Sequence, residues 1–125
     1  MFEVNRSIAL LRPQAPFLAW LKSLPGGIDP RLTLAELAAG GNALLIPAAD
    51  DYDDARHFVQ QRYRELFEAE LADWCEDQSL WPQNLSPNLF QQWFQLEIHP
   101  VVTDLAAEPL EREAFAPLDL DGKTE

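Results

Sequence analysis

The sequence predicts an α+β fold: a small three-stranded sheet covered by one long and two or three short helices, in the order β-α-α-β-α-α-β. Three observations predict it. Apolar residues recur at helical spacing over most of residues 51–77, and a helix-start signature stands at Thr33–Glu36. At Gln95 the apolar period changes from helical to alternating.

In chain order, residues 4–12 read as the first strand, with Val4, Ile8, Leu10 and Leu11 as sheet formers and Pro13 closing the run. A short helix fits Pro16–Leu24: Pro16 suits a first helical position, and Phe17, Trp20, Leu21 and Leu24 share one face. Pro25-Gly26-Gly27 ends it. Thr33-Leu34-Ala35-Glu36 has capping-box spacing, with Leu32 and Leu37 placed as a hydrophobic staple. Gly40-Gly41 stops that helix, and Ala43–Ile46 reads as a short buried strand ended by Pro47.

A long helix is expected from about Asp51 to Asp77. Ala55, Phe58, Val59, Tyr63, Leu66, Phe67, Leu71, Trp74 and Cys75 make its apolar stripe. Trp81-Pro82 breaks the pattern, and Ser86-Pro87 restarts it as cap and first position. Residues 95–104 read as the third strand, in which Pro100 implies an edge position or a bulge. Residues 1–105 are expected to form one compact domain. Residues 106–125 read as an acidic, Pro-containing tail, extended or partly docked through Leu110, Phe115, Leu118 and Leu120.

The 125 residues carry 9 Lys+Arg against 21 Asp+Glu, a net charge of −12. That balance argues against binding driven by phosphate neutralisation and against docking on an anionic membrane. Residues 1–46 carry four bases and three acids, whereas residues 47–125 carry five bases and 18 acids. The single Cys75 allows no intrachain disulfide. The N-terminal residues lack a basic stretch followed by a long apolar run, so no secretory signal is expected and the expected location is the cytoplasm.

Few residues combine into a chemical motif. Asp50, Asp51, Asp53 and Asp54 could hold a hard cation, but Ala55 and Gln61 stand where a calcium loop needs Gly and Glu. A capped, acidic first helical turn accounts for the cluster as well. His57 follows Asp53 by four residues, and His99 follows Glu97 by two; either pair suits acid–base work or a surface ion pair. A zinc site from His57, His99 and Cys75 would need long-range convergence. Cys75, beside Trp74 on the stripe, reads as an inert filler. Of Ser7, Ser23, Ser79 and Ser86, none lies in a Gly-x-Ser-x-Gly turn, and Gly40-Gly41 is too short to cradle phosphate. No cofactor is expected.

The aromatics Trp74, Trp81, Phe90, Trp93 and Phe94 cluster around the break between the last two helices. Core packing accounts for most of them. Trp81, in a loop-like Trp-Pro-Gln-Asn stretch, is expected outside the core, where Trp serves as an interface anchor. These features point first to a non-enzymatic protein-binding or regulatory module, with Trp81, Glu65, Glu68, Asp73 and Glu76 meeting a basic protein. The alternatives are an acidic inhibitor of a basic target, of the immunity, antitoxin or DNA-mimic type, and a small metal-dependent enzyme using Asp50–Asp54 with His57.

Overall fold

A computed structural model describes residues 1–115. The protein is α+β. An antiparallel sheet of three strands is accompanied by a second, two-stranded antiparallel sheet that pairs β1 (Phe2–Glu3) with β5 (Thr103–Asp104). The central strand β2 (Arg6–Pro13) hydrogen-bonds to β3 (Asn42–Pro47) on one side and to β4 (Phe94–His99) on the other. Burial alternates along β2 as the strand pleat requires: Ser7, Ala9, Leu11 and Pro13 are buried, while Arg6, Ile8, Leu10 and Arg12 are partly exposed. One face of the sheet is thus covered by helices and the other is open.

The covered face packs on an aromatic core. Helix α1 (Ala15–Ser23) has Pro16 in its first turn and buries Phe17, Trp20 and Leu21. Phe17 meets Trp20, Trp93 and Phe94 at ring separations of 5.4, 5.8 and 5.3 Å. The Trp20 indole N–H donates to the Leu80 carbonyl (2.9 Å), so its one polar group is satisfied. Buried Ser7 joins distant loops: its hydroxyl donates to the Pro100 carbonyl (2.9 Å) and accepts from the Ala49 amide (3.0 Å).

Helix α2 (Leu34–Ala39) begins with both halves of the expected box. The Glu36 amide donates to the Thr33 hydroxyl (3.2 Å), and the Thr33 amide donates to the Glu36 carboxylate (2.9 Å). Thr33→Ala is therefore expected to lower the unfolding free energy by about 0.5–2 kcal/mol, read from urea denaturation.

The expected long helix is two helices, α3 (Tyr52–Gln60) and α4 (Tyr63–Trp74). The chain tightens at Gln61-Arg62, where the Arg62 amide donates to the Val59 carbonyl (2.9 Å). The Arg62 side chain caps the Phe58 carbonyl (2.9 Å), and its guanidinium stacks 3.7 Å from the centre of the Phe58 ring. The apolar spacing continues from Phe58-Val59 to Tyr63, so periodicity carried no sign of the break. Helix α4 also stops short of Asp77, because Cys75 is extended.

A 3-10 turn over Gln78–Leu80, capped by Asp77, then reverses the chain. It leads to α5 (Pro87–Trp93), which Ser86 caps through the Leu89 amide (3.1 Å). The third strand expected over residues 95–104 is also divided. Pairing of β4 with β2 ends at His99, Pro100 turns the chain, and β5 (Thr103–Asp104) pairs instead with β1 (Phe2–Glu3). Ala106 to Phe115 contains no helix or strand. Leu118 and Leu120, the other anchors expected in the tail, lie outside the described residues. Among the described residues no helix is long and apolar enough to cross a membrane.

Candidate functional site

Helix α4 places acids along the open edge of β3. Because alternate residues of a strand face opposite sides, a depression touching consecutive residues must run along the strand's edge. A groove of about 640 Å³ does so: it is lined by Asn42, Ala43, Leu44 and Leu45 on one wall and by α4 on the other. Leu44, Leu66 and Ala69 give it apolar lining, and Glu65, Glu68, Glu70 and Asp73 give it charge. The Asn42 amide group donates to the Glu70 carboxylate, tying the strand to the helix. Phe115 adds an aromatic side chain at the groove, 82% exposed.

A second depression shares Asn42, Glu70 and Asp73 with the groove and continues to Trp74. A third shares Leu32, Glu36 and Trp74 with the second and reaches Ile28, Asp29 and Arg31. The three form one furrow, with Trp74 at the junction of its last two parts. The furrow can hold cationic side chains, with their aliphatic stems on apolar lining and their heads at carboxylates. An indole face adds cation–π attraction for the same groups.

Within it, burial pushes the Glu70 carboxyl above the ordinary Glu range, against the pull of the Asn42 bond, and Asp73 pushes it further up. Above the ordinary Glu range and below Glu70's own, the folded protein keeps a proton that the unfolded chain has released. Stability therefore falls as pH rises through that interval. Glu70→Gln is expected to flatten this slope, measured as urea midpoints across the mildly acidic range.

The positions singled out from sequence fall into distinct places. Glu65, Glu68 and Asp73 line the groove together, with Glu68 also facing Arg64 at 4.0 Å. Glu76 is exposed beyond the end of α4. Trp81 is not an exposed loop residue. It is 7% exposed, and its indole N–H donates to the Cys75 carbonyl (2.8 Å). The chain reversal after Cys75 folds it inward, whereas Trp74, expected on the buried stripe, is the last residue of α4 and stands 47% exposed.

Asp51 caps α3 by accepting from the Asp53 amide (2.8 Å), and Asp53 faces Arg56 at 4.0 Å. Asp50, Asp54 and His57 are exposed around this helix start. Glu97 and His99 do meet, at 2.6 Å, on the open face of the sheet, where Glu97 also accepts from Arg12 (3.3 Å). The His99 bond, then Arg12, hold the Glu97 carboxyl below its ordinary range. Half-buried Cys75 directs its thiol to the Asp77 carbonyl (3.8 Å). Among the described residues no three His, Cys, Asp or Glu side chains converge as a metal-ligand set.

Sequence reasoning passed over Trp74, Glu70 and Asn42 as members of one surface. The end of the helical period after Cys75 was the one signal for Trp74. Nothing local links Asn42 to Glu70.

Comparison with protein-family models, with curated proteins and with solved structures finds no match to this chain.

Proposed function

We propose that this protein is a non-enzymatic protein-binding or regulatory module that receives a basic partner in the furrow between β3, α4 and α2. The observation that carries the reading is Trp74, a half-exposed tryptophan set in a depression with Glu36, Glu70 and Asp73. Large aromatics in pockets surrounded by polar groups are the usual energetic centres of protein interfaces. The carboxylates attract a basic partner and raise its association rate, while the indole slows its release. Nucleic acid and anionic membranes do not suit a chain of net charge −12. The single cysteine fits a cytoplasmic setting.

The carboxylates beside Trp74 and β3 line a concavity. That arrangement supports a receiving module over an inhibitor that displays carboxylates on a convex face. The test is capture of partners from the native lysate, followed by surface-binding kinetics. Neutralising Glu65, Glu68, Asp73 and Glu76 together is expected to slow association in low salt, and Trp74→Ala is expected to speed release. A partner indifferent to salt and to both variants would defeat the reading.

A further inference from the structure

We infer that the partner enters the furrow as an extended segment with alternating basic and apolar residues, adding a fourth strand to the open edge of β3. The inference rests on the protein-binding reading and names the partner's chemistry.

Among the described residues β3 pairs with β2 alone, so its outer edge has no strand partner, and Asn42, Ala43, Leu44 and Leu45 line the groove beside it. Open edges are commonly blunted by charged side chains, bulges or proline. The six residues of β3, Asn42–Pro47, carry no charge, and the only proline stands at the end. Leu45 on this edge is 50% exposed. The opposite edge strand, β4, instead carries Glu97 and His99, already engaged with each other.

The surroundings set the side-chain pattern of the added strand. On the side of Asn42 and Leu44 stands α4 with Glu65, Glu68 and Asp73. Residues directed that way meet carboxylates, so Lys or Arg fits there. On the other side lie Ala43 and Leu45, whose cross-strand neighbours on β2 are Leu10 and Ile8. Residues directed that way extend an apolar surface, so Val, Ile or Tyr fits. From Glu65 to Asp73 the helix rises about 12 Å. Three alternate residues of a strand span about 13 Å, a matching length.

Charge also selects among occupants. Two copies joined edge to edge through β3 would bring two acidic α4 walls together. Residues 106–125, which include Phe115 at the groove, carry six acids and two bases, so this stretch lacks the complementary charge. A basic segment from another protein relieves the local repulsion at Glu70 and Asp73.

The probe is the peptide acetyl-Lys-Val-Lys-Val-Lys-Val-amide, with two isomers N-methylated at all three valines or at all three lysines. Methylation at alternate residues removes the donors of one strand edge and leaves composition and charge unchanged. Strand addition predicts that one isomer keeps the parent affinity while the other loses about tenfold or more. It also predicts amide shifts confined to Asn42–Ile46 and α4 in protein NMR. The triple variant Glu65→Lys, Glu68→Lys, Asp73→Lys, checked for folding by circular dichroism, is expected to weaken the parent peptide by about tenfold or more. Isomers that bind alike would overturn strand addition and leave charge-driven binding standing. A parent peptide that does not bind, or a stable dimer through β3 in sedimentation, would overturn the inference as well. The protein-binding reading is decided separately, by the behaviour of Trp74→Ala toward the native partner.

Discussion

Phe67→Ala is expected to lower the unfolding free energy by about 3–5 kcal/mol, the range for truncating a fully buried phenylalanine. Phe67, with Leu71 and Ala72, joins α4 to the rest of the core. Its ring lies 5.9 Å from Phe90, 5.5 Å from Trp93 and 5.4 Å from Phe94, the last edge-on. Removing it opens a void beneath the sheet that rigid rings cannot collapse to fill, so the transfer loss and the cavity cost add. Urea denaturation with an unchanged slope and a lower midpoint is the expected result. A loss below about 1 kcal/mol would show that these rings can close over the gap.

The second large effect separates two tryptophans. Trp81→Ala is expected to cost about 3–5 kcal/mol, because it empties a core position and leaves the Cys75 carbonyl without its indole donor. Trp74→Ala is expected to cost about 1 kcal/mol or less, since half of that side chain already faces water. Binding should follow the opposite order, with Trp74→Ala weakening a native partner. Iodide quenching of variants retaining one tryptophan provides an independent check: Trp74 should be accessible and Trp81 protected. A Trp81 that is freely quenched and dispensable for stability would restore it as the surface anchor.

The exchange of roles between these residues shows where local reasoning ends. The Thr33–Glu36 box was legible because both of its hydrogen bonds join residues three apart. The first strand and the change of period near Gln95 were legible because sheet formers and apolar spacing are local signals, but which residues of β2 face the core was not: Ser7 and Ala9 are buried while Ile8 and Leu10 are partly exposed. The break at Gln61-Arg62 was not, because a turn that preserves apolar spacing leaves hydrophobicity unchanged. Trp81 was not legible because its burial depends on the reversal after Cys75, which returns the ring beneath the helix that precedes it. The acids of α4 could be named from sequence, but their neighbour could not. Asn42 and Glu70 are brought together by the sheet and α4, across 28 residues.

The central place of β2 also bears on how the chain is made. Its six paired positions with β4 join residues 8–13 to residues 94–99, more than two thirds of the described length apart. A nascent chain that has emerged only as far as α5 holds β2 beside β3 at most, with one backbone edge unmatched and Phe94 and Ile98 missing from the core. Contacts of such long sequence separation are closed late and slow folding. The ribosome-bound intermediate therefore exposes a hydrophobic strand edge until β4 has emerged, and that interval is when a chaperone has most to shield.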